Sequence, residues 1–240
     1  MKITAATLWT NELKPMQDFY TGTLGFPLVE ETATAFTVQI GTSQLRFELD
    51  TTEQPKQYHF AFNVPGDAFQ PAKDWLQQRV PLLIEDGEDE IFFENINAHS
   101  IYFYDSDENV VELIARHDVN PNKSLETFTV NDMLDIGEMN VTTPDVAGVG
   151  ASFAELGVFH RYHQPINVDF LNFLGAPEDG THLLLGREDR TWLFSPKPAI
   201  TSPLILELDG NLHVRLDAEG VLHHENKPVL RRVKGLSDQL

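Results

Sequence analysis

Short alternating apolar segments and one helical segment divide residues 1–50 into five elements. Residues 3–9 (ITAATLW) alternate as a first strand, and the helix predicted from Leu13 to Leu24 ends at Gly25. Three short strands follow, with the sequences PLVEET, AFTVQIG and QLRFELD. The pattern therefore predicts a β-α-β-β-β unit.

The same order of elements recurs in residues 58–116. YHFAFNV alternates as a strand, Phe69 to Val80 has the apolar spacing of a helix, and strand-like segments follow: PLLIEDGE, EIFFENI, SIYFYD and ENVVELIAR. Two units with one pattern indicate an internal duplication. We therefore expect residues 1–117 to form one domain of two such units.

The second half of the chain repeats the pattern less completely. Residues 118–134 have the polar and proline content of a linker. A third unit over 135–188 contains a strand, a helix candidate with two glycines, and the strand-like segments VFHRYHQ, DFLNFLGA and THLLLGRE. The remaining segments, beginning with TWLFSP and LILELDG, suggest strands without a helix. We expect residues 135–240 to form a divergent second domain.

Composition narrows the possible partners. The chain has 240 residues, 37 acidic and 17 basic, with a net charge of -20, which would repel nucleic acid and anionic lipid. The absence of cysteine excludes disulfides, thiolate metal sites and a cysteine nucleophile. No apolar run has the length of a membrane span, so we expect a cytoplasmic protein.

Three segments carry a family resemblance: FYTGTLGF at the end of the first helix, HFAF opening the second unit, and IYFYDSDENVVELI closing it. They resemble the vicinal oxygen chelate superfamily, which includes glyoxalase I, fosfomycin-resistance transferases, bleomycin-resistance proteins and extradiol dioxygenases. The resemblance implies an α+β fold in which paired βαβββ units form curved, cup-like mixed sheets. Units one and two would form one cup, and the third unit would form a second half with the extra C-terminal strands. The resemblance also implies a small-molecule ligand, bound by a monomer or a homodimer.

The resemblance also implies a divalent metal held by the first and last strands of two units. At those positions the chain offers Glu48 (LRFELD), His59 (YHFAF) and Glu112 (NVVELI), together with Ala5, which cannot ligate a metal. One imidazole and two carboxylates suit Zn, Fe, Mn or Ni, with positions left for a chelating substrate.

Strand parity is compatible with such a site. His59 lies on the face opposite Phe60 and Phe62, and Glu112 lies on the face opposite Val111 and Leu113. Both can therefore line a concave surface while their neighbours pack under the helices.

Other residues are candidates for substrate binding or catalysis at the same surface. Tyr102 and Tyr104 share one strand face and could contact substrate. Arg46 could recognise an anion or neutralise Glu48. Glu112 is the candidate catalytic base.

In the third unit, Glu138 stands at the first-strand ligand position, but the corresponding last strand, HLLLGRE, has no acid in its middle. A second metal site there is not favoured.

Two functions stay open. One is a metal-dependent lyase, isomerase or dioxygenase acting on a small oxygen-rich substrate, and the other is a metal-free binding protein of the bleomycin-resistance type.

Overall fold

The structure is a computed structural model that describes residues 1–52 and 54–226 of the chain. The predicted C-terminal strand region and chain end beyond Asn226 lie outside the described residues. The predicted α+β fold is confirmed: three α-helices lie against a curved mixed sheet of fourteen strands in the described ranges.

The first unit contains the five elements expected from its pattern. They are β1 (Ile3–Thr10), α1 (Leu13–Asp18), β2 (Leu28–Glu31), β3 (Ala35–Ile40) and β4 (Ser43–Leu49). Helix α1 continues as one π-helical turn over Phe19–Thr23, and Gly25 follows at a φ of 81°. A positive φ is accessible to glycine without a steric cost, which explains why the helix stops here.

The second unit repeats this order with β5 (His59–Asn63), α2 (Phe69–Gln77), β6 (Ile91–Phe93), β7 (Ala98–Tyr104) and β8 (Val110–Arg116). The third has β9 (Asp135–Thr142), α3 (Val146–Glu155), β10 (Asn172–Leu174) and β11 (His182–Gly186). The chain continues through β12 (Leu204–Leu208), β13 (Leu212–Leu216) and β14 (Leu222–Asn226).

Three segments predicted as strands belong to no strand. Residues 81–88 and 191–196 form loops that contain only isolated bridges, Glu85 to Glu88 and Thr191 to Pro198. Residues 158–164 contribute one bridge, His160 to Leu174, and then turn. The apolar residues that suggested a strand at 191–196 are buried although they form no strand. Trp192 and Phe194 pack from the loop against side chains of the concave face.

The pairing of the units differs from the sequence-based expectation. Each unit closes on itself through a parallel pair formed by its first and last strands: β1 with β4, β5 with β8, and β9 with β11. The other edge of β5 pairs antiparallel with β9, while β1 pairs antiparallel with β12. Units two and three therefore share one cup, and unit one shares the other with the C-terminal strands. The prediction that units one and two form a cup is wrong.

Units one and two meet instead on the helical side of the sheet. Their aromatic side chains contact each other there, with Phe26 and Phe62 ring centroids 5.6 Å apart. The Tyr20 hydroxyl of FYTGTLGF donates a hydrogen bond to Asp105 Oδ2 of the YDSDENV turn at 3.0 Å. The two most recognisable sequence segments therefore support the shared core and not a shared cup. None of the helices in the described ranges has the length and apolar character needed to cross a membrane.

Candidate metal centre

Three buried side chains converge on the concave face between units two and three. They are His59 on β5, Glu112 on β8 and Glu138 on β9, and one donor atom from each lies within 4.8 Å of the other two. Ala61 of β5 is the strand partner of both Glu112 and Glu138. Because its methyl side chain is small, the two carboxylates that flank it can approach each other over the sheet.

The imidazole of His59 is oriented by the backbone. Its Nδ1 lies 2.9 Å from the carbonyl oxygen of Val110, which can only accept a hydrogen bond, so Nδ1 carries the proton. The remaining nitrogen, Nε2, lies 3.5 Å from Glu112 Oε2. Burial lowers the pKa of His59 to about 4, and the nearby Arg190 charge acts in the same direction. At neutral pH the ring is uncharged, and the lone pair of Nε2 is available to a ligand.

The two glutamates destabilise each other's charge. Burial, followed by repulsion from Glu138, raises the pKa of Glu112 to about 8, although the neighbouring Ser100, Arg116 and Tyr102 side chains oppose this shift. Burial also raises the pKa of Glu138, while Arg116 and Arg161 favour its charged form. Two carboxylates enclosed at this distance are stable together when a proton or a cation compensates one of them.

Arg116 holds Glu138 in place from behind. Its guanidinium donates hydrogen bonds to Glu138 and to Asn63 Oδ1. The amide of Asn63 in turn donates to Asp135 Oδ1 at 2.6 Å and to the carbonyl oxygen of Gly180 at 2.9 Å. This buried network fixes one of the two carboxylates, in the manner of the hydrogen bonds that orient metal ligands.

The donor set fits a divalent metal. A neutral imidazole and two carboxylates are ligands that Zn, Fe, Mn and Ni accept, and the cation would offset the repulsion between the glutamates. Among the described residues, the buried hydroxyl oxygen of Ser100, beside Glu112, has no partner in hydrogen-bonding geometry. On β11 the position related to Glu112 is Leu184, because Asn140 pairs with Leu184 as Ala61 pairs with Glu112. Three protein ligands would leave the remaining positions to a substrate or water.

A cavity of about 260 Å³ opens over these three side chains. Tyr102, Phe173, Leu184 and Trp192 form much of its apolar wall, and Arg161 and Arg190 also line it. The loop between β11 and β12 covers one side: the Trp192 ring lies 4.5 Å from that of His59, and Phe194 stacks on Tyr102 at 4.9 Å.

The structure brings together only some of the residues singled out from the sequence. His59 and Glu112 adjoin each other, and Tyr102 lines their cavity. The Tyr104 hydroxyl instead lies within hydrogen-bond distance, 2.8 Å, of Ser195 Oγ outside the cavity lining.

Glu48 and Arg46 belong to the other cup. Arg46 Nε donates to Glu48 Oε1 at 3.0 Å, and Arg46 Nη1 donates to Glu30 Oε2 at 2.8 Å. Glu48 is not brought to the His59 group because β4 pairs with β1 and β3 of its own unit. The expected grouping of Glu48 with His59 and Glu112 is thereby corrected, and Glu138 takes its place.

Several residues of the site were missed from the sequence: Arg161, Arg190 and Trp192 line the cavity, and Arg116 bonds to Glu138 from behind it. Glu138 was recognised at a ligand position but was considered only for a second metal site, which was not favoured. The sequence does show that Glu138 lies in the first strand of unit three at the position that His59 occupies in unit two. This correspondence indicates a shared site only when β5 is known to pair with β9.

A curved mixed sheet of βαβββ units with a histidine and two glutamates on its concave face defines a glyoxalase-like protein. Residues 2–145 match the sequence model of the Glyoxalase/Bleomycin resistance protein/Dioxygenase superfamily, and the chain belongs to this superfamily. Residues 136–190 match the model of the toxoflavin-degrading enzyme family. None of the curated proteins matches the chain significantly.

Solved structures with the same fold are distant in sequence. A candidate dioxygenase from Bacillus subtilis is 14% identical with a TM-score of 0.59, and the match covers 93% of this chain and 84% of that one. Glyoxalase I from Zea mays is 14% identical with a TM-score of 0.50, over 76% of this chain and 66% of that one. At such identities the similarity shows the fold alone.

Proposed function

We propose that the protein is a metal-dependent enzyme that acts on a small, oxygen-rich substrate able to chelate the metal. The observation that carries this proposal is the buried group of His59, Glu112 and Glu138, whose donor atoms lie within 4.8 Å of one another beneath a cavity. Membership of the glyoxalase superfamily supports it, and so does the fit of the donor set to a divalent ion.

In this proposal a divalent metal held by the three side chains would polarise a substrate oxygen or bind a deprotonated diol.

The chain's own residues have separate roles. The hydrogen bond between His59 Nδ1 and the carbonyl oxygen of Val110 holds the imidazole ring, so that Nε2 on the other side of the ring is available to a ligand. Arg116 restrains the Glu138 carboxylate, whereas no guanidinium of the described residues bonds to Glu112. Glu112 is thus the freer of the two carboxylates and our candidate to accept a proton from substrate. Trp192 and Tyr102 restrict water on one side.

The reaction would be of the lyase, isomerase or dioxygenase type. The segment that matches the toxoflavin-degrading enzyme family contains both Glu138 and Arg161, which line the cavity. This supports an enzyme that degrades a small organic compound, and toxoflavin is the first compound to test.

A metal-free binding protein is the second candidate. Leu184 occupies the fourth strand position of the cup, and Arg116 already neutralises Glu138. Both features would let the carboxylates exist without a metal, provided that Glu112 holds a proton.

Metal content separates the two candidates. Purified protein is saturated with Mn, Fe, Ni or Zn in turn, passed through a desalting column and analysed by elemental mass spectrometry. We expect about one ion per chain in the wild type and in Glu48→Gln, and a loss of most of it in His59→Ala and Glu138→Gln, because a ligand is removed only in the last two. The enzyme proposal fails if no ion is retained, or if the four proteins retain the same amount.

A further inference from the structure

The loop between β11 and β12 carries a compact tip, residues 192–197, which we call the lid. The lid belongs to no strand, but its base is closed by backbone contacts. The Ala199 N–H donates a hydrogen bond to the carbonyl oxygen of Arg190 at 2.7 Å. Thr191 forms an isolated bridge with Pro198 at the same level. Because its two ends are tied together in this way, the lid can move as one unit about its base.

Two aromatic side chains pack the lid against the concave face. The Trp192 ring lies 4.5 Å from that of His59, measured between centroids. Phe194 stacks on Tyr102 at 4.9 Å with an interplanar angle of 15°. These contacts belong to a small hydrophobic cluster that is separate from the main core of the molecule. A segment without strand pairing that packs through such a cluster opens at a lower free energy than the core strands do.

Backbone strain and an unused hydrogen-bond donor oppose the closed position of the lid. Phe194 has a φ of 59°, in the left-handed region that a bulky side chain rarely adopts. The indole Nε1 of Trp192 is buried and has no hydrogen-bond partner among the described residues, whereas an exposed indole would bond to water. Both costs can be relieved when the lid leaves the concave face, so they offset part of the free energy gained by burying the two rings.

Two polar contacts, which we call the latch, connect the lid to the β7–β8 hairpin. The hydroxyl oxygens of Tyr104 and Ser195 lie 2.8 Å apart, within hydrogen-bond distance. Lys197 forms an ion pair with Glu108, whose side chain is 68% exposed. Contacts of these two kinds contribute little net free energy, because water replaces them when they break. The latch can therefore hold the lid closed without preventing it from opening.

Displacement of the lid would open the cavity beside His59. Trp192 and Leu193 both line the cavity, and with the lid closed His59 is only 4% exposed. The closed cavity has a volume of about 260 Å³. Movement of the lid would therefore set both the access of water to His59 and the size of ligand that can reach it.

We propose that residues 192–197 form a mobile lid that moves away from His59 and Tyr102 about its base, and that the latch sets how often it opens. In the open state a ligand enters the cavity, and in the closed state Trp192 and Phe194 exclude water from it. The inference goes beyond the proposed function, because it applies equally to a metal-dependent enzyme and to a metal-free binding protein.

Hydrogen exchange in chelator-treated protein, followed by mass spectrometry, tests the motion. We expect the lid amides to exchange roughly tenfold or more faster than those of β5, because lid opening does not require the sheet to unfold. Tyr104→Phe and Glu108→Gln should each raise the exchange rate of the lid by about twofold to fivefold and leave that of β5 unchanged. Removal of one contact of this strength shifts the open population by such a factor.

Asp18→Asn is the matched control, because it breaks an exposed ion pair with Lys14 on α1 and touches neither the lid nor the latch. Its lid should exchange at the wild-type rate. Lid exchange that stays the same in both latch variants would overturn the proposal. So would an equal rise in β5, because the substitutions would then have loosened the whole fold and not the lid.

Chemical modification of His59 tests whether the lid controls access to the cavity. Diethylpyrocarbonate acylates neutral imidazoles, and peptide mass spectrometry measures its rate at each histidine of the metal-free protein. We expect His59 to react far more slowly than the exposed His163 in the wild type, and about twofold to fivefold faster in Tyr104→Phe and Glu108→Gln, with His163 unchanged. A His59 rate that does not respond to the latch variants would contradict a lid that admits ligands. Because no metal is needed, either result stands whether or not the protein proves to be a metal-dependent enzyme.

Discussion

Two buried carboxylates, Asp105 and Glu112, lie in the same β7–β8 hairpin, and their hydrogen bonds give them different roles. Asp105 Oδ1 accepts hydrogen bonds from the backbone N–H groups of Asp107 and Asn109. Its Oδ2 accepts hydrogen bonds from the Asn109 amide at 2.9 Å and from the Tyr20 hydroxyl at 3.0 Å. Asp105 therefore holds the turn and joins units one and two, while Glu112 faces the cavity.

The Asp105 carboxyl should make stability depend on pH. Burial raises its pKa to about 7, with the neighbouring Asp107 charge adding to the shift and the bonds from Asn109 and Tyr20 opposing it. In the unfolded chain the group titrates near 4. Between about pH 4 and pH 7 the folded protein binds a proton that the unfolded chain has released, so the free energy of unfolding decreases as pH rises.

Asp105→Asn removes this titration. We expect the free energy of unfolding of the variant, relative to wild type, to increase by roughly 2 kcal/mol between pH 5 and pH 7. Urea unfolding at several pH values measures it, with Asp74→Asn on the exposed face of α2 as the control. A constant difference across this range would contradict the assigned shift.

At the level of residues, the sequence predicted those features that depend on parity within one strand. His59 and Glu112 could be placed on the concave face because alternation is a local property. The partnership of Glu138 with them depends on the pairing of β5 with β9, which are far apart in the chain. Arg161 and Trp192 lie in loops, where no periodicity indicates the direction of a side chain.

At the level of elements, the order β-α-β-β-β could be predicted twice, but the pairing of the units could not. The first strand of each unit has one edge covered by its own last strand, and its other edge is free to pair with any other unit. The hydrophobic pattern of β1 or β5 is the same whichever partner covers that edge. The structure resolves this choice in favour of β12 for β1 and β9 for β5.

The pairing of β12 with β1 predicts a difference between two adjacent residues of β12. Leu206, opposite Ala6, is completely buried in the main core, whereas Ile205 on the other face is partly exposed. Leu206→Ala should lower the free energy of unfolding by about 2–5 kcal/mol, because it leaves a cavity. Ile205→Ala should cost less than half as much. Denaturant titrations of both variants test this, and equal losses would argue against the burial of this strand face.

At the level of the whole molecule, one continuous sheet contains two cups with different chemistry. In the cup of units two and three, His59, Glu112 and Glu138 are all less than a tenth exposed. In the other cup, the Glu48 side chain is 39% exposed and is paired with Arg46, which also bonds to Glu30. Carboxylates that are already neutralised by an arginine at the surface have little to gain from a metal, so we expect only one cup to bind an ion.

The ligands of the proposed site would come from both units, since β5 and β8 belong to unit two and β9 belongs to unit three. A bound ion would bridge the two units and stabilise the folded state by mass action. At a free metal concentration about 100 times the dissociation constant, the free energy of unfolding rises by about 2.7 kcal/mol, which corresponds to roughly 5–10 °C in melting temperature for a chain of this length.

Thermal unfolding of chelator-treated protein, with and without added metal, should show this shift in the wild type and in Glu48→Gln. Glu138→Gln should show little of it, because the bridge between the units is lost. If Glu48→Gln abolished the shift and Glu138→Gln kept it, the ion would lie in the cup of unit one.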